Sequence, residues 1–150
     1  KLLGLKVPAT GASIGVDRLA ELLRMVDPAG LTAKGPVMIA YFDDDLQPEY
    51  YRIASELRQA GIAVEVYCGF FKGFRKMKKQ MAYADAKNCP AVILLGENEA
   101  EKGVVTVKNL KLGKELSQTT FDKKEWNAQV QKEVPLGNLT EYMLGLLGMK

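Results

Sequence analysis

The chain has 150 residues, 47% of them hydrophobic and 26% charged, with a formal net charge of +3. This composition suits one soluble domain with a real core, and no apolar run approaches the roughly 20 residues that span a bilayer. Two cysteines (Cys68 and Cys89), no CxxC pair and no histidine argue against a zinc or dithiol centre and remove the commonest general base.

Residues 1–26 read as a strand, a tight turn punctuated by Gly11, Ser13 and Gly15, and a helix with Leu19, Leu22, Leu23 and Val26 at helical spacing. Asp27-Pro28-Ala29-Gly30 breaks that helix. Residues 1–30 are too few to bury a core and read as part of a larger unit; residues 31–36 read as a linker. The chain opens on Lys1 rather than Met, as a fragment or a processed protein would. It shows no basic segment followed by a long apolar block, so no secretory signal is expected.

From Val37 strands and helices alternate. Val37 to Phe42 reads as a buried strand. Asp45 is the expected N-cap of the next helix, with Pro48 in its first turn. Tyr50, Ile53, Ala54, Leu57 and Ala60 form its inner stripe, and Gly61 ends it. Ala63 to Tyr67 is the second strand. A helix over residues 73–88 should face Phe74, Met77, Met81 and Ala84 inward, and Ala91 to Leu95 is the third strand. Such a βαβαβ run predicts parallel strands with right-handed crossovers. Val104 to Lys108 and Lys114 to Ser117 then flank a turn around Asn109 to Gly113. A hairpin there would make the sheet mixed. Asp122 and Glu125 suggest a capping box opening a helix with Trp126 and Val130 on one face, and Thr140 caps a short final helix. The expected organisation is an α/β domain over residues 37–133 and a helical tail over 134–150.

Four features could carry chemistry. Gly11 to Leu19 places small residues and Arg18 at a helix start, where phosphate is favoured; the same pattern also fits an ordinary strand-turn-helix with Arg18 in water. No P-loop and no GxGxxG is present. Lys72, Arg75, Lys76 and Lys79 fall on one helical face, with Lys78 nearby and Phe70, Phe71 and Phe74 beside them. Clustered cations repel one another, and an RNA backbone would neutralise them while bases stack on the aromatics. A solvated helix face beside core aromatics is the other reading. Gly96-Glu97-Asn98-Glu99 follows the third strand, at the ligand edge of α/β sheets. With Lys108 it offers polar groups to base edges, or it forms a plain polar turn. Asp43-Asp44-Asp45 has the carboxylates of a cation site, but reads better as a helix cap, and no metal is expected.

The segment Pro8-Ala9-Thr10-Gly11-Ala12-Ser13-Ile14-Gly15-Val16-Asp17-Arg18-Leu19 resembles motif 3 of class II aminoacyl-tRNA synthetases in its histidyl form. Lys79-Gln80-Met81-Ala82-Tyr83-Ala84-Asp85-Ala86-Lys87, then Ala91-Val92-Ile93-Leu94-Leu95-Gly96-Glu97, then Val105-Thr106-Val107-Lys108-Asn109-Leu110 resemble the anticodon-binding domain of the same branch. The resemblance covers nearly all of residues 8–132. It implies a three-layer domain with a mixed five-stranded sheet flanked by helices, preceded by a catalytic-domain remnant. It implies that Arg18 contacts ATP phosphate, and that Lys76, Glu99 and Lys108 contact the anticodon, joined by the basic residues Lys72, Arg75 and Lys79. The family usually carries a glycine where this chain has Lys78. The implied parent is a cytoplasmic homodimer that ligates histidine to tRNA-His with ATP and Mg2+. Motif 1, the motif 2 arginine and the histidine-specific loop are absent from these residues, so this piece alone is expected to be inactive. An accessory or regulatory domain with a protein-binding role is the alternative, since fold does not dictate function. A flavodoxin-like enzyme is disfavoured, because no phosphate loop, His or convergent nucleophile is present.

Overall fold

The computed structural model describes residues 10–26, 35–68, 76–116 and 129–149, and the chain divides into two compact units, Lys1–Ala33 and Lys34–Lys150. In the first unit helix α1 (Val16–Val26) forms, as its spacing predicts. Asp17 lies in the first turn and Arg24 in the last, each complementing the helix dipole. Its apolar residues, Leu22, Met25 and Val26 among them, are exposed.

In the second unit the apolar runs become β1 (Val37–Ile39), β2 (Val64–Val66) and β3 (Ala91–Leu94). Between them stand α2 (Gln47–Gln59) and α3 (Met77–Ala86). After β3 come α4 (Glu97–Lys102), β4 (Val104–Asn109), α5 (Leu110–Leu116), β5 (Gln131–Pro135) and, beyond one 3-10 turn, α6 (Leu139–Leu147). The sheet order is β2-β1-β3-β4-β5. β1 runs parallel to β2 and β3, whereas β4 is antiparallel to β3 and β5. The mixed five-stranded sheet expected from the sequence is therefore present.

The core lies where the periodicities place it. Met38, Ile39, Val92 and Ile93 are fully buried in the central strands, and Tyr50, Ile53, Ala54 and Leu57 are the buried stripe of α2. Each of the larger aliphatic side chains among them contributes about 1.5–3 kcal/mol by leaving water. Gly61 ends α2 at φ +80°, a conformation that costs glycine nothing. Pro48 sits in the first turn of α2 as expected, but Leu46 holds the N-cap position. Asp45 instead donates its backbone N–H to the Asp43 carboxylate at 3.1 Å.

Further expectations need correction. The first is the hairpin around Asn109 to Gly113, which is not formed. Lys108 stays inside β4, the chain turns into α5 directly after Asn109, and Lys114 to Leu116 belong to that helix. The Asn109 side chain accepts the Leu112 N–H at 3.0 Å, and Leu110 N–H donates to Pro90 O at 3.0 Å. Both bonds favour a helical turn over a hairpin. On its other edge from β3, β4 pairs with β5, and Val105↔Val134 and Lys108↔Gln131 set the register.

The second correction concerns α3. It spans Met77–Ala86 rather than residues 73–88, Met77 is 42% exposed, and the buried positions are Gln80 and Ala84. The Gln80 amide finds both its partners on a strand end, which turns Gln80 inward and Met77 outward. Phe74 lies outside the described residues. The third concerns the tail. β5 crosses the expected boundary at residues 133 and 134, and Leu139 and Met143 of α6 belong to the main core. Residues 134–149 are thus part of the second unit. The capping box at Asp122 and Glu125, with Trp126, lies outside the described residues; Val130 is buried.

Candidate nucleic-acid interface

Because β1, β2 and β3 are parallel, their carboxyl ends, Ile39, Val66 and Leu94, share one edge of the sheet. Chain segments leaving that edge are where α/β sheets place ligands. Two buried polar side chains tie these segments together. Gln80 Nε2 donates to Tyr41 O at 2.8 Å, and Gln80 Oε1 accepts Tyr41 N–H at 2.9 Å. Tyr50 donates its hydroxyl to Leu95 O at 3.1 Å and accepts N–H groups from Phe42 and Asp43. The ends of β1 and β3 and the first turns of α3 are held in one hydrogen-bonded frame.

Lys76 occupies the N-cap of α3, and Lys76, Lys78 and Lys79 are exposed. No acidic residue lies in that first turn, and no side chain caps it. The positive end of the helix dipole and the exposed lysines of this turn make a favourable setting for phosphate. Lys72 and Arg75, the other members of the basic run, lie outside the described residues.

Glu99 stands at the same edge, but not on an open loop. Residues 97–102 form α4, and Glu99 Oε2 accepts the Gly96 N–H at 3.1 Å. Its carboxylate caps the helix, so residues 97–102 are helical where a polar turn was expected. Lys108 lies further in. The register aligns Glu65, Met38, Val92, Lys108 and Gln131 in one row across all five strands, so their side chains share a face. Tyr83 and Lys87 bond to Glu65, which puts α3 on that face too. Lys108 is half-buried there, two residues short of the Leu94 pairing. Helix α3, which carries Lys79 and is entered at Lys76, thus lies on the same face of the sheet as Lys108. Arg18 stands exposed in the first turn of α1, in the first unit.

Two acidic groups near the edge make internal bonds. Asp44 accepts the Tyr41 hydroxyl at 2.8 Å, and Asp43 accepts the Asp45 N–H. Among the described residues no group of three or more His, Cys, Asp or Glu is placed to hold a metal ion. At Glu65, burial pushes the carboxyl pKa up, but hydrogen bonds from Lys87 and Tyr83 outweigh it and hold it below the usual range. Lys87 is raised in turn by its bond to Glu65.

A family model described as the anticodon binding domain matches residues 36–145. The chain belongs to the anticodon-binding domain family. It is 44% identical to a histidine–tRNA ligase of Paracoccus denitrificans over 97% of this chain and 29% of that protein. It is 40% identical to one of Caulobacter vibrioides over 94% of this chain and 28% of that protein. The chain therefore spans less than a third of the length of the curated relatives it matches. The crystal structure of histidyl-tRNA synthetase from Nostoc sp. PCC 7120 superposes with a TM-score of 0.61 at 23% identity, covering 89% of this chain and 28% of that one. The apo S. aureus enzyme gives 0.59 at 22% identity, over 85% and 28%. These two likenesses carry the fold.

Within this anticodon-binding domain, the residues that sequence reasoning missed are Gln80, Tyr41 and Tyr50. The one signal for Gln80 was its spacing, four residues before Ala84 on the inward stripe. Among the described residues no helix is long and apolar enough to cross a membrane.

Proposed function

We propose that this anticodon-binding domain grips the anticodon arm of tRNA-His as part of a histidine–tRNA ligase. The observation that carries this reading is the first turn of α3, where Lys76, Lys78 and Lys79 are exposed and the turn itself holds no acidic residue. Lys76 and Lys79 contact RNA phosphates, Lys72 and Arg75 extend the same basic run, and Lys108 approaches from the face that α3 shares. Glu99 shapes the edge by capping α4. Phosphate contacts fix the arm's position, and base contacts then select the sequence.

The intact parent joins histidine to tRNA using ATP and Mg2+, acting as a cytoplasmic homodimer. Arg18 there meets ATP phosphate through its planar, permanently charged fork. The motif around Arg18 supports the ligase reading over a protein-binding accessory role, because an accessory domain has no use for an ATP-binding arginine.

The test is binding of the chain to a tRNA-His anticodon hairpin and to the same stem with a scrambled loop, titrated across salt. The anticodon hairpin is expected to bind more tightly. Lys76→Ala is expected to lower the slope of log affinity against log salt by about one. Equal affinity for both hairpins would overturn the reading.

A further inference from the structure

The Gln80 amide is fully buried at 0% exposure. A buried amide is costly unless its groups are paired, and a hydrophobic side chain would fill the same space without that risk. Gln80 meets the requirement by bonding both faces of one residue, Tyr41. These bonds are directional, whereas apolar packing lets a helix slide or turn. The same residue continues the connection along the helix: Gln80 N–H donates to Lys76 O at 3.2 Å, and Lys79 N–H donates to Lys76 O at 2.9 Å. A chain of hydrogen bonds therefore runs from the end of β1, through Gln80, to the N-cap lysine. Tyr50 anchors the other end of that frame by joining the Phe42–Asp43 backbone to Leu95.

We propose that Gln80 is a positioning residue: its clamp on the Tyr41 backbone sets Lys76 and the first turn of α3 for contact with RNA phosphate. This rests on the RNA-binding reading above and adds a residue that never touches RNA. Removing the clamp leaves every lysine in place but no longer holds their geometry.

The experiment uses the whole chain with Gln80→Met, Lys76→Ala and the double variant, each checked for native circular dichroism, against the same two hairpins. Gln80→Met exchanges one neutral side chain for another of similar length, so a merely structural role leaves the salt slope unchanged. The positioning role lowers that slope by about one, as though a lysine had been removed. Lys76→Ala should then weaken binding about fivefold in the wild-type chain and less than about twofold on the Gln80→Met background. Should Gln80→Met fail to fold, Gln80→Asn, one methylene too short to make both bonds, takes its place. An unaltered slope in a folded variant, or additive losses in the double variant, overturns the clamp. Wild-type chain that binds both hairpins equally overturns the anticodon reading instead, and the slope comparison still decides the clamp. No RNA binding at all overturns both.

Discussion

The same chemical change, glycine to alanine, should have opposite effects at Gly35 and Gly145. At Gly35 an added Cβ would collide with Lys87 O and lie 2.7 Å from Asn88 C and 2.8 Å from Asn88 O. Real Cβ atoms stay beyond 3.0 Å from such neighbours, so the two backbones must part. The Lys87–Cys89 segment cannot yield freely. Asn88 sits at φ +53°, its N–H donates to Asp85 O, and Cys89 N–H donates to Ala84 O. Parting also breaks the 3.1 Å bond from Gly35 N–H to Asn88 O. Overpacking of this kind costs about 1–3 kcal/mol, and the lost bond adds about 1 kcal/mol. Gly35→Ala should therefore destabilise the unit by about 2–4 kcal/mol, lowering Tm by about 10–20 °C. At Gly145, inside α6, an added Cβ meets nothing within 4 Å. Alanine there should stabilise by about 0.5–1 kcal/mol through helix propensity and reduced unfolded-state entropy. Guanidinium denaturation followed by circular dichroism reads both. A Gly35→Ala midpoint equal to wild type would refute the close approach and the reasoning built on it.

Met143→Ala should cost about 2–5 kcal/mol in the same denaturation experiment, because Met143 is fully buried and its removal leaves a cavity; a loss below about 0.5 kcal/mol would mean α6 is peripheral after all. Glu99→Ala should cost about 1 kcal/mol of stability through the lost cap and change hairpin affinity less than Lys76→Ala does. The reverse order would restore a base-contacting role to Glu99. Glu65→Gln tests the Glu65–Lys87 pair, which is open to solvent, so its effect on stability should be small. The folded carboxyl is held below its unfolded value, so the contribution is present above the unfolded pKa and fades as pH falls through the folded one. The difference between Glu65→Gln and wild type should accordingly be present at neutral pH and shrink in acid, near and below about pH 4. A difference that grows in acid would contradict the assigned pairing.

The candidate site was legible only in part. The basic run was visible as charge at helical spacing, and Lys76, Lys78 and Lys79 are indeed exposed at the start of α3. The role of Glu99 was not visible, because a carboxylate three residues after a glycine reads equally as a base contact and as a cap. The Gly96 N–H at 3.1 Å shows the cap. For Gln80 the spacing to Ala84 is the one sign that it points inward, and its polarity within a basic helix argues the other way.

Local pattern by itself determined the alternation of β1, α2, β2, α3 and β3, because apolar periodicity records which face of each element leaves water. It also determined the end of α2, because Gly61 alone accepts the turn required there. The tertiary structure decided the rest. β5 carries a single deeply buried residue, Val134, between exposed neighbours, so its sequence scarcely announces a strand; its pairing with β4 makes it one. Leu110–Leu116 became helix through contacts with Pro90 and Asn109. Gln80 turned inward for two groups on Tyr41, 39 residues away in sequence. Hydrogen-bond partners distant along the chain are fixed only when the chain has folded, and neighbouring residues carry no record of them.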